Sequence, residues 1–220
     1  MKANMGSVEF FYKRFYYNKH TLTPRLETES LVRLALDAIK KEDIDVVIDV
    51  WTGSAIIWIS IENNSEIKEI YWLEKSKNAA KVAHANISLH KSNMILIKSD
   101  LLGYFFKNDK EFDFKDKNIL IVANLPYIKN EDWVNMSEDT LWEPKMALFW
   151  WARTGFELYE KFYRQLLKFK KSFWTGKIVS ISEIWFDQRE VAGKYLLKHW
   201  FQAKFSPDLR WIERFITIEI

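Results

Sequence analysis

Short unbroken apolar runs alternate along the chain with longer stretches whose apolar residues recur every three to four positions. The short runs are Asp45–Val50 (DVVIDV), Glu69–Leu73 (EIYWL), Asn93–Lys98 (NMILIK), Asn118–Ala123 (NILIVA) and Lys177–Ile184 (KIVSISEI). Their length and β-branched content predict buried strands. Between them, Glu27–Lys41 places Leu31, Val32, Leu34, Ala35, Leu36 and Ile39 at the spacing of an amphipathic helix. Further helices are expected from Ala55 to Ile61, from a Ser76 cap through Leu89, from Phe156 to Lys170, and from Gln188 to His199. Gln202–Leu209 and Phe215–Ile220 (FITIEI) predict closing antiparallel strands. The aromatic segment Val8–Tyr17 (VEFFYKRFYY) predicts a strand or hairpin arm.

Strands alternating with helices define an α/β fold with a mostly parallel sheet wound on both faces. There is no internal repeat, low-complexity segment or linker. The expected organisation is one domain over residues 24–220, preceded by an arm over residues 1–23. Sheets of this kind bind ligands at the carboxyl ends of their strands. Polar residues stand at those ends: Asp49, Glu74, Asp100 and Asn124.

Composition changes the picture in two ways. The chain of 220 residues is 48% hydrophobic and has no cysteine, so disulfides, thiolate metal sites and thiol nucleophiles are excluded. No apolar run reaches the ~20 residues of a membrane span, and no signal pattern opens the chain. A cytoplasmic monomer is expected. The 33 basic and 30 acidic residues interleave, so the net charge of +3 permits a nucleic-acid partner without demanding one. His20, His84, His90 and His199 lack ligand spacing, and no metal is expected. The second feature is an imbalance. Tryptophan numbers 11 and glycine only 6, where average usage of about 7% would give roughly 15 glycines.

The turn after the first parallel strand, Trp51-Thr52-Gly53-Ser54-Ala55, could let backbone approach a ligand, or be an ordinary strand-to-helix turn. Glu74 could accept both hydroxyls of a ribose, or favour a helix start through its dipole. Asp100 could accept from an adenine amino group with Leu101 against the ring, or be a solvated loop acid. The three features in that order at successive strand ends are less ambiguous than any one alone. Asn124-Leu125-Pro126-Tyr127 ends the fourth strand. A planar amino group is a poor nucleophile because its lone pair is delocalised. The Asn124 side-chain carbonyl and the Leu125 backbone carbonyl are placed to accept its two N–H bonds. Pro126 stiffens the loop, and Tyr127 offers an aromatic wall. Catalysis is then mainly orientation.

Three further segments extend the pattern: Thr23-Pro24-Arg25-Leu26-Glu27-Thr28-Glu29, Glu143-Pro144-Lys145-Met146-Ala147-Leu148 and Glu183-Ile184-Trp185-Phe186-Asp187-Gln188. With the tetrapeptide, these resemble the protein-glutamine N5-methyltransferases that modify peptide chain release factors. The resemblance runs from about residue 8 to 220. It implies a Rossmann-like class I methyltransferase fold, with a seven-stranded sheet whose last strand is antiparallel and helices on both faces. It implies S-adenosylmethionine as cofactor, held by Asp49, Trp51 to Ala55, Glu74, Asp100, Leu101 and Asn124. It also implies, as acceptor, the glutamine of a release factor's Gly-Gly-Gln loop, held by Asn124 to Tyr127. Leu26 and Leu125 replace prolines of the family pattern. On this resemblance residues 1–23 are expected to be the arm that connects to the family's N-terminal helical domain, which is itself expected to have no counterpart in this sequence. Adenine-N6 methyltransferases of nucleic acid share the tetrapeptide and define the alternative acceptor.

Set against this family, the surplus tryptophan falls at glycine positions: Trp51, Trp58, Trp72, Trp150, Trp151, Trp185, Trp200 and Trp211, with Trp174 as a further candidate. Trp133 and Trp142 match native aromatics. The pattern predicts UGA codons read as glycine by the cell and written as tryptophan in this sequence. A non-catalytic protein with a blocked pocket is the rival reading. Either way, Trp51 is expected to weaken cofactor binding.

Overall fold

The computed structural model describes residues 5–92, 95–127 and 154–220. The aromatic arm is a hairpin of β1 (Gly6–Phe10) and β2 (Lys13–Tyr17), which form their own two-stranded antiparallel sheet. The main body follows as α1 (Thr28–Lys41), β3 (Val46–Val50), α2 (Ile56–Glu62), β4 (Glu69–Glu74), α3 (Lys77–His90) and β5 (Ile95–Lys98). Then come α4 (Gly103–Lys107), β6 (Ile119–Asn124), α5 (Glu157–Phe173), β7 (Ile178–Glu183), α6 (Arg189–Lys198), β8 (Ala203–Pro207) and β9 (Glu213–Glu219).

The seven strands lie in the order β5-β4-β3-β6-β7-β9-β8. β3, β4, β5, β6 and β7 pair in parallel, and β9 inserts antiparallel between β7 and β8. This is the expected seven-stranded sheet with its last strand reversed. The periodicity anticipated the main elements to within a few residues, and Ser76 caps α3 by accepting the Ala79 N–H at 3.2 Å. The short α4 was not anticipated, because five residues are too few to show a helical period.

Why the central strands read as continuous apolar runs is visible in their packing. Val46, Ile48 and Val50 face one core with Ile119, Ile121 and Ala123, while Val47 faces the other with Leu120 and Val122. The first core is closed by Phe105 of α4, by α5 from Leu158 to Phe173, and by Ala192 and Leu196 of α6. The second is closed by Leu31, Val32 and Ala35 of α1, by α2, and by Phe10 and Phe15 of the hairpin. Among the described residues, no helix is long and apolar enough to cross a membrane.

β3 and β6 are neighbours, although two strands separate them in sequence. The chain therefore winds outward to β4 and β5, then returns across β3 to β6. Strand order reverses at this point, and a crevice opens beyond the carboxyl ends.

Candidate active site

The cleft lies at that reversal. Trp51, Thr52, Gly53 and Ser54 line it from the turn after β3, Glu74 and Ser76 from the end of β4, and Asn124 from the end of β6. Much of its remaining wall, which sequence reasoning did not assign to the site, comes from Thr21, Leu22, Pro24 and Arg25 before α1 and from Thr28 at the start of that helix; Ile56 and Ile57 of α2 and Asn78 and Ala79 of α3 also line it. Asn86 of α3 ties the hairpin to the turn. Its Nδ2 donates to the Tyr16 and Ser54 carbonyls at 2.9 and 2.8 Å, and its Oδ1 accepts the Tyr16 N–H at 2.7 Å. Glu29, in the first turn of α1, accepts the Phe11 N–H at 2.9 Å. Sequence adjacency could not reveal these links, since the partners are up to 70 residues apart.

The Glu74 carboxylate accepts the Gly53 N–H at 2.8 Å and the Ser76 N–H at 2.6 Å. Burial pushes its pKa up, against those backbone donors. Each oxygen keeps lone pairs for a further donor. Asp49 does not reach the cleft lining. It is buried beneath the turn and accepts the Thr52 hydroxyl, and burial pushes its carboxyl up to about 7. Its role in the turn is support from below. Ala55 is also buried, opening α2 at φ 67°.

Asp100 and Leu101 depart from their expected place. Neither is among the residues lining the cleft. The Asp100 carboxylate pairs with Lys161 at 2.9 Å and Lys75 at 3.3 Å, which together hold its pKa below the usual range against partial burial. Leu101 is buried in the first core. Both lysines meet Oδ2, while the buried Oδ1 has no hydrogen-bond partner, and this pairing does not show in the residue's position in sequence.

The tetrapeptide loop is held from three sides. The Asn124 Nδ2 donates to the Glu183 carboxylate at 3.1 Å, as the β6–β7 register pairs these two residues. Tyr159 of α5 donates its hydroxyl proton to the Glu183 carbonyl and accepts the Leu125 N–H at 3.1 Å. A proline could not make that second bond, so leucine at 125 adds a tether. Gln188, fully buried, donates from Nε2 to the Tyr127 and Thr154 carbonyls, both at 3.1 Å, while its Oε1 accepts the Trp185 N–H at 3.0 Å. Leu125, Pro126 and Tyr127 are buried, and the Tyr127 ring stacks on Trp185 with centroids 5.2 Å apart. Gly155 must lack a side chain: a Cβ there would lie 2.1 Å from the Tyr127 carbonyl oxygen. The segments Thr23–Glu29 and Glu183–Gln188 thus have roles that the sequence did not supply. One builds a cleft wall and the other locks the loop. Glu143–Leu148 lies outside the described residues, as do Trp150 and Trp151.

Gln188→Ala leaves the buried Tyr127 carbonyl and the part-buried Thr154 carbonyl without this donor, and the Trp185 N–H without its acceptor. That costs about 2–3 kcal/mol and lowers Tm by roughly 5–10 °C in a domain of this size. A thermal melt unchanged within about 1 °C would contradict this.

A doubly wound sheet with a nucleotide-type cleft at its switch point and an Asn-Leu-Pro-Tyr loop at one strand end is the architecture of a Rossmann-like methyltransferase. The family model described as N-6 DNA Methylase matches residues 9–150. A release factor glutamine methyltransferase of Enterococcus faecalis is 30% identical over 98% of this chain and 74% of its own length. One of Bacillus cereus is 31% identical over 74% of this chain and 56% of its own. Among solved structures, the hMettl16 catalytic domain in complex with MAT2A 3'UTR hairpin 6 aligns with a TM-score of 0.66 at 11% identity, covering 93% of this chain and 74% of that one. The chain belongs to the family of release factor glutamine methyltransferases. It spans about half the length of several of the relatives it matches.

Proposed function

We propose that this chain transfers a methyl group from S-adenosylmethionine to the side-chain amide nitrogen of the glutamine in a release factor's Gly-Gly-Gln loop. The observation that carries the reading is the placement of Asn124. It lines the same cleft as Glu74, and its amide nitrogen is already committed to Glu183. That leaves Oδ1 as the acceptor for an incoming N–H. The Leu125 carbonyl keeps a lone pair for the second N–H, because the single Tyr159 proton goes to the Glu183 carbonyl in the shorter of its two carbonyl contacts. Two such acceptors hold the amide nitrogen and favour its pyramidal form. The buried Pro126 and Tyr127 fix where the amide plane can lie.

The donor set suits the cofactor. A carboxylate steadied by two backbone amides can take ribose hydroxyls, and Thr52 to Ser54 offer a small-residue edge. The large side chain of Trp51 in that edge is the exception. Bound S-adenosylmethionine supplies the electrophilic methyl. The amide nitrogen gives up one proton to solvent as the new bond forms, and the protein's part is alignment and exclusion of alternatives.

The N-6 DNA Methylase match favours a second reading, transfer to the N6 amino group of adenine in nucleic acid. One experiment separates the two: labelled S-adenosylmethionine with a purified release factor, the same factor with its Gly-Gly-Gln glutamine replaced, rRNA and duplex DNA. Label on the first alone supports the proposal, and label on either nucleic acid alone sinks it.

A further inference from the structure

Four of the seven described tryptophans (51, 58, 72, 174, 185, 200 and 211) have left-handed backbone: Trp51 at φ 69°, Trp174 at 50°, Trp200 at 61° and Trp211 at 64°. Among all other described non-glycine residues only seven do. For bulky side chains this conformation is an outlier, and no chemical property of an indole favours it.

The local motifs say what belongs there. Past the end of α6, the Phe201 N–H donates to the Leu196 carbonyl at 3.0 Å and the Trp200 N–H to Leu197 at 3.1 Å. This is the paired bond pattern of a Schellman helix end, whose left-handed position is typically glycine. Trp174 ends α5 in the same conformation. Between β8 and β9, the Asp208 N–H donates to the Ile212 carbonyl at 2.8 Å, and the Trp211 N–H donates to the Asp208 carbonyl at 3.0 Å. That is a three-residue hairpin loop whose last position is left-handed and takes glycine. The side chains confirm that nothing holds the indoles in place: Trp174, Trp200 and Trp211 are 76%, 93% and 86% exposed. Trp58 and Trp72 show the opposite misfit. They are fully buried against each other between α2 and β4, with ring centroids 6.0 Å apart, and neither indole N–H has a partner. Two glycines there would let the helix sit directly on the strand.

We propose that the polypeptide working in the cell carries glycine at positions 51, 58, 72, 174, 200 and 211, specified by UGA codons that the cell reads as glycine. A single reassignment of one codon changes all six positions together. Independent substitutions would have to strike left-handed sites again and again.

Two measurements test this. In the gene, these six codons are UGA, whereas Trp133 and Trp142 are UGG, and peptides of the protein purified from its own cells carry glycine at the six sites. UGG codons at these sites, or tryptophan in those peptides, overturn the proposal. Independently of any activity, Trp200→Gly and Trp211→Gly each raise Tm by about 2–6 °C through relief of left-handed strain. Trp200→Ala and Trp211→Ala recover little of that gain, because alanine keeps the Cβ. Alanine matching glycine at both sites would show that the backbone asks for no glycine there and would sink the structural argument.

A separate observation carries a second inference. Glu183 is buried, and its Oε2 accepts from Asn124 Nδ2. An asparagine amide can sit either way round, and a carboxylate, which only accepts, selects the way that leaves Oδ1 free. We infer that Glu183 is a positioning residue that sets the orientation of the Asn124 amide for the acceptor, an inference resting on the function proposed above. The groups around its carboxyl are the Thr28 hydroxyl on α1, Arg214 on β9, Glu27 before α1 and Asp208 in the β8–β9 turn, with the Tyr159 hydroxyl on its carbonyl. Burial pushes this carboxyl up to about 7, with the Thr28 hydroxyl and Arg214 working against it. Below that pH the protonated group can donate to Oδ1 and turn the amide round. The turnover number kcat should therefore fall as pH drops through about 7, and the Asn124 side-chain amide resonances should shift over the same range. Glu183→Gln should abolish both dependences. A wild-type pH profile and unchanged amide resonances in that variant would overturn the inference. Absence of transfer to the release factor by the parent protein would instead count against the function, with the resonances still deciding the orientation.

Discussion

Trp51→Gly tightens S-adenosylmethionine binding by at least about tenfold, equivalent to ~1.4 kcal/mol. The residue combines two faults at the place where a cofactor must come closest to backbone. Its φ of 69° is left-handed, and its side chain lines the cleft beside Gly53 and Glu74. Left-handed backbone costs a residue with a Cβ roughly 1–2 kcal/mol, and the turn must also yield space that the indole now fills. The Trp51 N–H donates to the Leu73 carbonyl at 2.7 Å, a bond that glycine keeps, so the turn's anchoring survives the change. The Lys75 ammonium lies 5.9 Å from the indole centroid, a contact that is lost but exposed enough to matter little. Titration calorimetry of the two forms decides the matter. Equal affinities within about twofold would show that the indole leaves the cofactor position clear. Trp51→Ala should fall between them, since it removes bulk and keeps the strain.

The sheet was legible because its strands are buried on both faces, so DVVIDV and NILIVA announce themselves without any partner information. The alternation of elements implied a parallel sheet, but the reversal of strand order between β3 and β6 came from the pairing itself, since no residue at that joint marks it. What stood at the strand ends was only half legible. Glu74 and Asn124 do line one cleft, and the turn from Trp51 to Ser54 joins them. Asp100 looked equivalent in sequence, yet Lys75 and Lys161 converge on it from β4's end and from α5. Such long-range ion pairing leaves no local pattern. The same holds for Tyr159 and Gln188, whose bonds to the tetrapeptide span 34 and 61 residues. The tryptophan surplus and its fall on family glycine positions were legible, but the strain it brings lay in backbone angles, which a one-dimensional sequence does not display.

Asn124→Ala lowers kcat by about 10²-fold or more, the scale seen when one preorganised polar partner of a reacting group is removed. Its effect on the KM for the release factor should be small, because the side chain's contribution lies in orienting the nitrogen rather than in gripping the protein. Asn124→Asp is the sharper probe. It keeps the shape and an acceptor oxygen, yet places a second carboxyl against Glu183, which is buried and has no room for two negative charges. One of the pair must stay protonated. The variant should then retain a fraction of the activity near pH 6 and lose it toward pH 8, opposite in sense to the parent's rise through about 7. Adding Glu183→Gln to it should flatten that loss, since the glutamine amide can donate to the new carboxylate. Measured kcat against pH for the parent, the single variant and the double variant tests the arrangement. If Asn124→Ala keeps kcat within threefold of the parent, the tetrapeptide is not where the acceptor nitrogen is held.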